Sequence, residues 1–252
     1  MKILLLALLL FPAKPARSAV APLEVGVEEH LGAALPLGLH FTDEDGRSVA
    51  LGSLIRKPTI LTLNFFSCAG ICTPLLNGLV DGLNDLPLEA GQAYQVLTVS
   101  FDPNDAPLLA KMKRQNYLRQ ISHPFPAEAW RFLTGQPKNI QALTEAVGFK
   151  YKAAPSGQYV HPAVIVILSP KGQITRYMYG IDFPPQDLQM ALIEAARGQV
   201  RASVVKTLRF CYDYDPAGRV FVSRVTRVVG AASLLLALAL IGAFSFRRRR
   251  KS

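Results

Sequence analysis

Three short apolar runs, residues 59–66, 94–101 and 164–168, restrict the fold more than any other feature of this chain. Each has the length of a strand and is largely apolar, so both of its faces need cover from water. The segments between them can supply that cover. Residues 75–86, 106–118 and 139–147 repeat apolar side chains at helical spacing, and residues 186–196 do so again. Strands alternating with helices indicate an α/β layer fold with helices on both faces of a sheet. Upstream, residues 39–42 and 48–51 flank Asp43-Glu44-Asp45-Gly46-Arg47, a turn-forming sequence, and read as a hairpin that opens the domain. Downstream, Pro170-Lys171-Gly172 turns the chain into another strand, residues 173–179, expected to pair antiparallel beside residues 164–168. Half of the residues are hydrophobic and 18% are charged, which excludes disorder as the default. With no internal repeat, one domain over residues 22–198 is the simplest division.

The two ends carry apolar segments of another kind. Lys2 precedes the apolar run 3–11, and Ala16-Arg17-Ser18 follows it, giving the charged, apolar and small-residue parts of a signal peptide over residues 1–19. The run is too short to span a bilayer. Residues 228–246 are uncharged and mostly apolar, close to the roughly 20 residues that cross the hydrocarbon core. Arg247-Arg248-Arg249-Arg250-Lys251 follows directly and marks that end as cytoplasmic. The expected order is therefore a signal peptide, the 22–198 domain, a tether over 199–227, a transmembrane helix over 228–246 and a basic cytoplasmic tail over 247–252. This makes the chain a single-pass protein of the inner (cytoplasmic) membrane with its domain on the periplasmic, extracytoplasmic side.

The formal net charge of +10 invites a nucleic-acid reading, yet its distribution removes the support for one. Once the basic residues of the leader and tail are set aside, 20 remain against 18 acids. The excess reports topology, and the tail can meet anionic headgroups of the membrane.

The chemistry concentrates in Asn64-Phe65-Phe66-Ser67-Cys68-Ala69-Gly70-Ile71-Cys72-Thr73-Pro74. A buried strand ends here and a helix begins, since Pro suits a first helical turn. Unpaired N–H groups and the positive end of the helix dipole are expected to lower a thiol pKa at such a junction. Positions four apart share a helix face, so Cys68 and Cys72 can bring both sulfurs to one point. A structural disulfide, a redox pair and a metal site all remain open from the spacing. A structural bridge gains little from so short a loop, which favours redox or metal chemistry. A peroxidase is disfavoured, because Phe65 and Ala69 occupy the positions three before each cysteine, where a Thr or Ser belongs.

His161 lies just before the strand 164–168. If that strand runs antiparallel to residues 59–66, its start lies beside Cys68, and the imidazole faces the thiols. Two thiolates and an imidazole form a soft, low-coordination set suited to copper, whether Cu(I) or Cu(II). Zinc accepts the same groups but usually takes a fourth ligand. The plainer reading of His161 is a polar loop residue.

Four segments in this order carry a family resemblance: residues 65–72, Val99-Ser100-Phe101-Asp102-Pro103, Trp130-Arg131-Phe132-Leu133-Thr134-Gly135, and His161 before a strand followed by Pro170-Lys171-Gly172. Residues 31–196 resemble the Sco/SenC family, and the likeness continues through Arg176-Tyr177-Met178-Tyr179-Gly180. The resemblance implies a thioredoxin-like domain with a central mixed sheet flanked by helices, binding one copper ion through Cys68, Cys72 and His161. It further implies delivery of copper, or of reducing equivalents, to the binuclear copper centre of cytochrome c oxidase. The copper-receiving subunit of that oxidase and other periplasmic copper or thiol-disulfide proteins are the implied partners. A thiol-disulfide reductase working through Cys68 and Cys72 is the alternative, with His161 tuning a thiol. The chain departs from the family pattern at Ala69 and Thr73, where many members have Pro, and in placing its anchor at the C-terminal end. Asp102 resembles the family's acidic residue near the metal, although its sequence context also suits a helix cap. Cys211 is an odd thiol left outside the site. His30, His40 and His123 read as surface residues, and Met178 as packing.

Overall fold

The computed structural model describes residues 25–68, 70–154, 157–203, 212–215 and 220–223, together with Ser233 and Leu235. The expected signal peptide and basic tail, Cys211, and nearly all of the transmembrane segment lie outside these residues, as does much of the tether. Among the described residues, no helix is long and apolar enough to cross a membrane.

In chain order the elements are β1 (Gly26–Val27), β2 (His40–Thr42), β3 (Ser48–Ala50), α1 (Leu51–Leu54), β4 (Thr59–Asn64), α2 (Cys72–Asn84), β5 (Gln95–Ser100), α3 (Pro107–Leu118), β6 (Trp130–Leu133) and α4 (Pro137–Ala146). There follow β7 (Phe149–Lys150), β8 (Lys152–Ala153), β9 (Tyr159–Val160), β10 (Val164–Leu168), β11 (Ile174–Tyr179), α5 (Pro185–Ala196) and a hairpin of β12 (Tyr212–Asp215) and β13 (Val220–Ser223). Five strands form the central sheet in the order β11-β10-β4-β5-β6. β4, β5 and β6 are parallel, while β10 is antiparallel to β4 and to β11. This is the mixed, thioredoxin-like sheet implied by the resemblance, with the hairpin β2–β3 as expected.

Every residue of β4 and of β10 is buried, as suits strands covered on both faces. Alternate side chains feed two cores. Ile60, Ile165 and Ile167 join α2, α3 and α5 on one face, while Leu61, Val166 and Leu168 join α1, α4 and the β2–β3 hairpin on the other. Two polar side chains converge on Thr98 inside the sheet: Thr62 Oγ1 donates to Thr98 Oγ1 at 2.9 Å, and Trp130 Nε1 donates to the same oxygen at 2.9 Å.

The loop from β11 to α5 passes directly over α2, and two glycines of α2 permit the approach. A Cβ at Gly78 would stand 1.7 Å from the Ile181 carbonyl oxygen, and one at Gly82 would stand 2.4 Å from that of Phe183. Helix propensity alone predicts that Gly78→Ala stabilises by about 1 kcal/mol. Packing predicts the reverse sign, a loss of about 1–3 kcal/mol as the loop is pushed away. Thermal unfolding of the variant decides, and a raised melting temperature would contradict the packing seen here.

Candidate metal centre

Beyond Asn64 the chain leaves the sheet, and Phe65 and Phe66 fold over its end with 3% of each side chain exposed. A tight turn, closed by the Cys68 N–H on the Phe65 carbonyl at 3.2 Å, presents Cys68 half-buried at the surface. Cys72 is the first residue of α2 and is 4% exposed. Both thiols are free, so no structural disulfide joins them.

His161 reaches this point because of strand direction. Ile165 pairs with Thr62 and Val166 with Leu61, so the start of β10 lies beside the end of β4. The His161 Nε2 stands 3.1 Å from Cys72 Sγ, and its Nδ1 stands 3.0 Å from the Pro162 carbonyl oxygen. A carbonyl can only accept, so Nδ1 carries the proton and the Nε2 lone pair faces the sulfur. One ligand atom each from Cys68, Cys72 and His161 lies within 4.8 Å of the others. Among the described residues, this is the one cluster of three or more Cys, His, Asp or Glu with such spacing.

Aromatic rings wall the imidazole. Phe101, Phe65 and Phe149 have ring centroids 5.2, 6.0 and 6.0 Å from it, and Tyr159 and Tyr151 extend the layer. Burial governs the protons of the site. It pushes the Cys72 thiol far up, an effect reinforced by the neighbouring Cys68 and opposed by a backbone hydrogen bond at Phe65. Burial likewise lowers the His161 pKa, opposed by the Nδ1 bond to Pro162. Both groups are therefore neutral at neutral pH, and the Cys72 S–H can donate to Nε2. The expectation that the helix N terminus lowers the pKa fails at Cys72, because loss of hydration outweighs the dipole there. Soft donors in a dry recess suit a metal ion of low charge, which binds at Cys72 by displacing the thiol proton.

Asp102 does not touch a ligand side chain. Its Oδ1 accepts the Asn104 backbone N–H and Nδ2, each at 2.9 Å. The sequence reading passed over Asp105, a buried carboxylate that binds the Phe66 N–H at 2.6 Å. A clue existed in its place, an acid one helical turn after a strand end that adjoins the cysteine loop. His40 is exposed, whereas His30 and His123 are half-buried and bonded to the carbonyls of Ala146 and Leu83, a correction to their reading as simple surface residues. Met178 packs against the core, as expected.

Comparison with known proteins places these observations in a family. The SCO1 protein homolog of Bacillus subtilis (strain 168) is 28% identical over 151 residues, covering 58% of this chain and 75% of its own. A crystal structure from Aquifex aeolicus VF5, of a protein put forward as an electron transfer protein, superposes with a TM-score of 0.60 at 27% identity, covering 67% of this chain and 95% of its own. Arabidopsis thaliana ScoI with copper bound shares the fold, with a TM-score of 0.52 at 21% identity over 67% of this chain and 99% of its own. So does BsSco, a member of the Sco family of cytochrome c oxidase assembly proteins, with a TM-score of 0.51 at 21% identity over 68% of this chain and 98% of its own. Residues 34–197, nearly the whole of the folded domain, match the SCO1/SenC family, and the chain belongs to that family.

Proposed function

We propose that this chain is a copper metallochaperone for assembly of the binuclear copper centre of cytochrome c oxidase, carrying one copper ion as cargo on Cys68, Cys72 and His161. The observation that carries this reading is the convergence of two thiols and an imidazole lone pair within 4.8 Å in an aromatic-walled recess. Three soft donors satisfy Cu(I), whereas structural zinc ordinarily takes four. Cys68 is the more exposed thiol, so an incoming ligand from a copper-receiving subunit reaches the metal on that side and exchanges with it first. Other periplasmic copper or thiol-disulfide proteins load the site and keep its thiols reduced.

A second reading rests on the two free thiols, which are close enough to close reversibly into a disulfide and so to reduce a partner's cysteines. His161→Ala separates the two. For the chaperone, Cu(I) affinity falls by more than the roughly 10–100-fold typical of losing a group behind a ligand, while disulfide exchange persists. Unchanged copper stoichiometry and affinity in that variant would favour the reductase.

The raised Cys72 pKa gives a pH dependence with a definite sign. The thiol is protonated at neutral pH, and copper must displace that proton. Apparent Cu(I) affinity should rise with pH, approaching about tenfold per unit for this proton alone. Competition titrations against a chelator of known pH behaviour measure the slope, and a flat profile would exclude Cys72 as a ligand.

The topology proposed with this function is a cleaved leader over residues 1–19, a tether over 199–227, a membrane span over 228–246 and a cytoplasmic tail over 247–252. Alkaline phosphatase, which is active only outside the cytoplasm, should work when fused after Gly198 and fail when fused after Ser252. The opposite pattern would invert the orientation.

A further inference from the structure

β12 (Tyr212–Asp215) and β13 (Val220–Ser223) form a two-stranded sheet of their own. Tyr212 pairs with Ser223, Asp213 with Val222, Tyr214 with Phe221 and Asp215 with Val220. Residues directly opposite in an antiparallel pair share a face, as do alternate residues along a strand. The register therefore places Tyr212, Tyr214, Phe221 and Ser223 on one face, and Asp213, Asp215, Val220 and Val222 on the other. One face is mostly aromatic, and both acids belong to its opposite. A lone hairpin of this size is marginal in water at best, so the aromatic face calls for cover.

Chain length restricts what can cover it. Ser223 lies five residues before the uncharged apolar run 228–246. Fully extended, that connection reaches about 18 Å, close to the depth of one leaflet with its headgroups. A membrane span over residues 228–246 thus keeps the hairpin at the membrane surface. Aromatic residues gather at this level, where the ring meets the acyl boundary and a Tyr hydroxyl meets water. Arg224 and Arg227, in the connecting stretch of the sequence, are of the type that pairs with headgroup phosphate. Anionic headgroups repel carboxylates, which favours the acidic face toward water.

We propose that the β12–β13 hairpin lies on the extracytoplasmic surface of the membrane, its Tyr212–Tyr214–Phe221 face set into a bilayer with anionic headgroups and its Asp213–Asp215 face toward water. This rests on the reading of residues 228–246 as a membrane span. The consequence for copper delivery is one of reach. Ser203 is buried, and Arg201 donates its N–H to the Thr175 carbonyl of β11 at 3.0 Å, so the domain holds the chain as far as this point. From Ser203 to the hairpin the chain extends at most about 30 Å, against about 90 Å from Ser203 to residue 228. A seated hairpin confines the domain to a shallow layer above the membrane, and raises its effective concentration toward a copper-receiving centre held at the same height.

Tryptophan fluorescence of the full-length chain in vesicles of phosphatidylethanolamine and phosphatidylglycerol tests this. Acyl chains brominated just below the headgroup, or near the bilayer centre, serve as contact quenchers. Trp130, the single native tryptophan, is buried in the domain core and supplies the background. Three variants each add one indole: Tyr214→Trp on the aromatic face, Val222→Trp on the acidic face and Leu238→Trp within the apolar run. Shallow bromines should quench Tyr214→Trp strongly and Val222→Trp little, and deep bromines should quench Leu238→Trp. Blue-shifted emission from Tyr214→Trp without bromine quenching would show that protein covers the face, and would overturn the proposal. Equal quenching of Tyr214→Trp and Val222→Trp would overturn it as well. In either case a deeply quenched Leu238→Trp leaves the membrane span standing. If deep bromines leave Leu238→Trp untouched, the span falls and the seated hairpin with it.

Discussion

The antiparallel pairing of β10 with β4 is the constraint on which the whole site depends. It sets the start of one buried strand beside the end of another, and so brings residue 161 to residues 68 and 72 across almost a hundred positions of chain. A parallel β10 would carry His161 to the opposite end of the sheet. The pairing is held by burial on both faces, since every residue of β4 and β10 is buried and their aliphatic side chains divide between the two cores. Burying an aliphatic side chain contributes about 1.5–3 kcal/mol, so the scaffold is fixed by a far larger sum than any contact at the metal centre. The site can then tolerate soft and reactive groups without governing the fold.

That burial also decides the chemistry. A helix N terminus favours a thiolate by its dipole, an effect of at most about 2 kcal/mol that fades within the first turn. Removing hydration from Cys72 costs the thiolate more, and the balance leaves a neutral thiol hydrogen-bonded to a neutral imidazole. The protein thus holds Cys72 in protonated reserve. An ion that binds thiolate strongly can take the place of the proton, whereas an exposed, low-pKa thiolate would be open to indiscriminate oxidation. The aromatic layer around His161 keeps one side of the recess dry, and the more exposed Cys68 leaves another open to exchange.

Much of this could be read from local pattern. The runs that became β4, β5 and β10 were recognisable because strands buried on both faces are largely apolar, and the helices because apolar positions recur at helical spacing. The proximity of His161 followed from the expected strand direction. What escaped reading depends on contacts between distant residues. β6 is four residues long and contains Arg131, which breaks the apolar pattern. Its guanidinium is held by Glu44 at 2.7 Å and Asp43 at 2.9 Å, acids that in the sequence looked like turn formers only. Asp43 also serves the turn, accepting the Arg47 N–H at 2.8 Å, so the local reading was true but incomplete. Asp105 was missed for the same reason, because its partners Phe66 and Ser67 lie on another strand's exit. The thiol pKa was misjudged at Cys72 because the dipole can be read from sequence, whereas desolvation depends on the packed fold.

The central claim is that two sulfurs and one imidazole nitrogen hold a single copper ion. X-ray absorption at the copper edge, on the reduced protein loaded with one equivalent of Cu(I), tests it most directly. The account predicts a first shell fitted by two sulfur scatterers and one nitrogen, with the outer-shell features of an imidazole ring. A shell of nitrogen and oxygen alone, or one with no imidazole contribution, would contradict it.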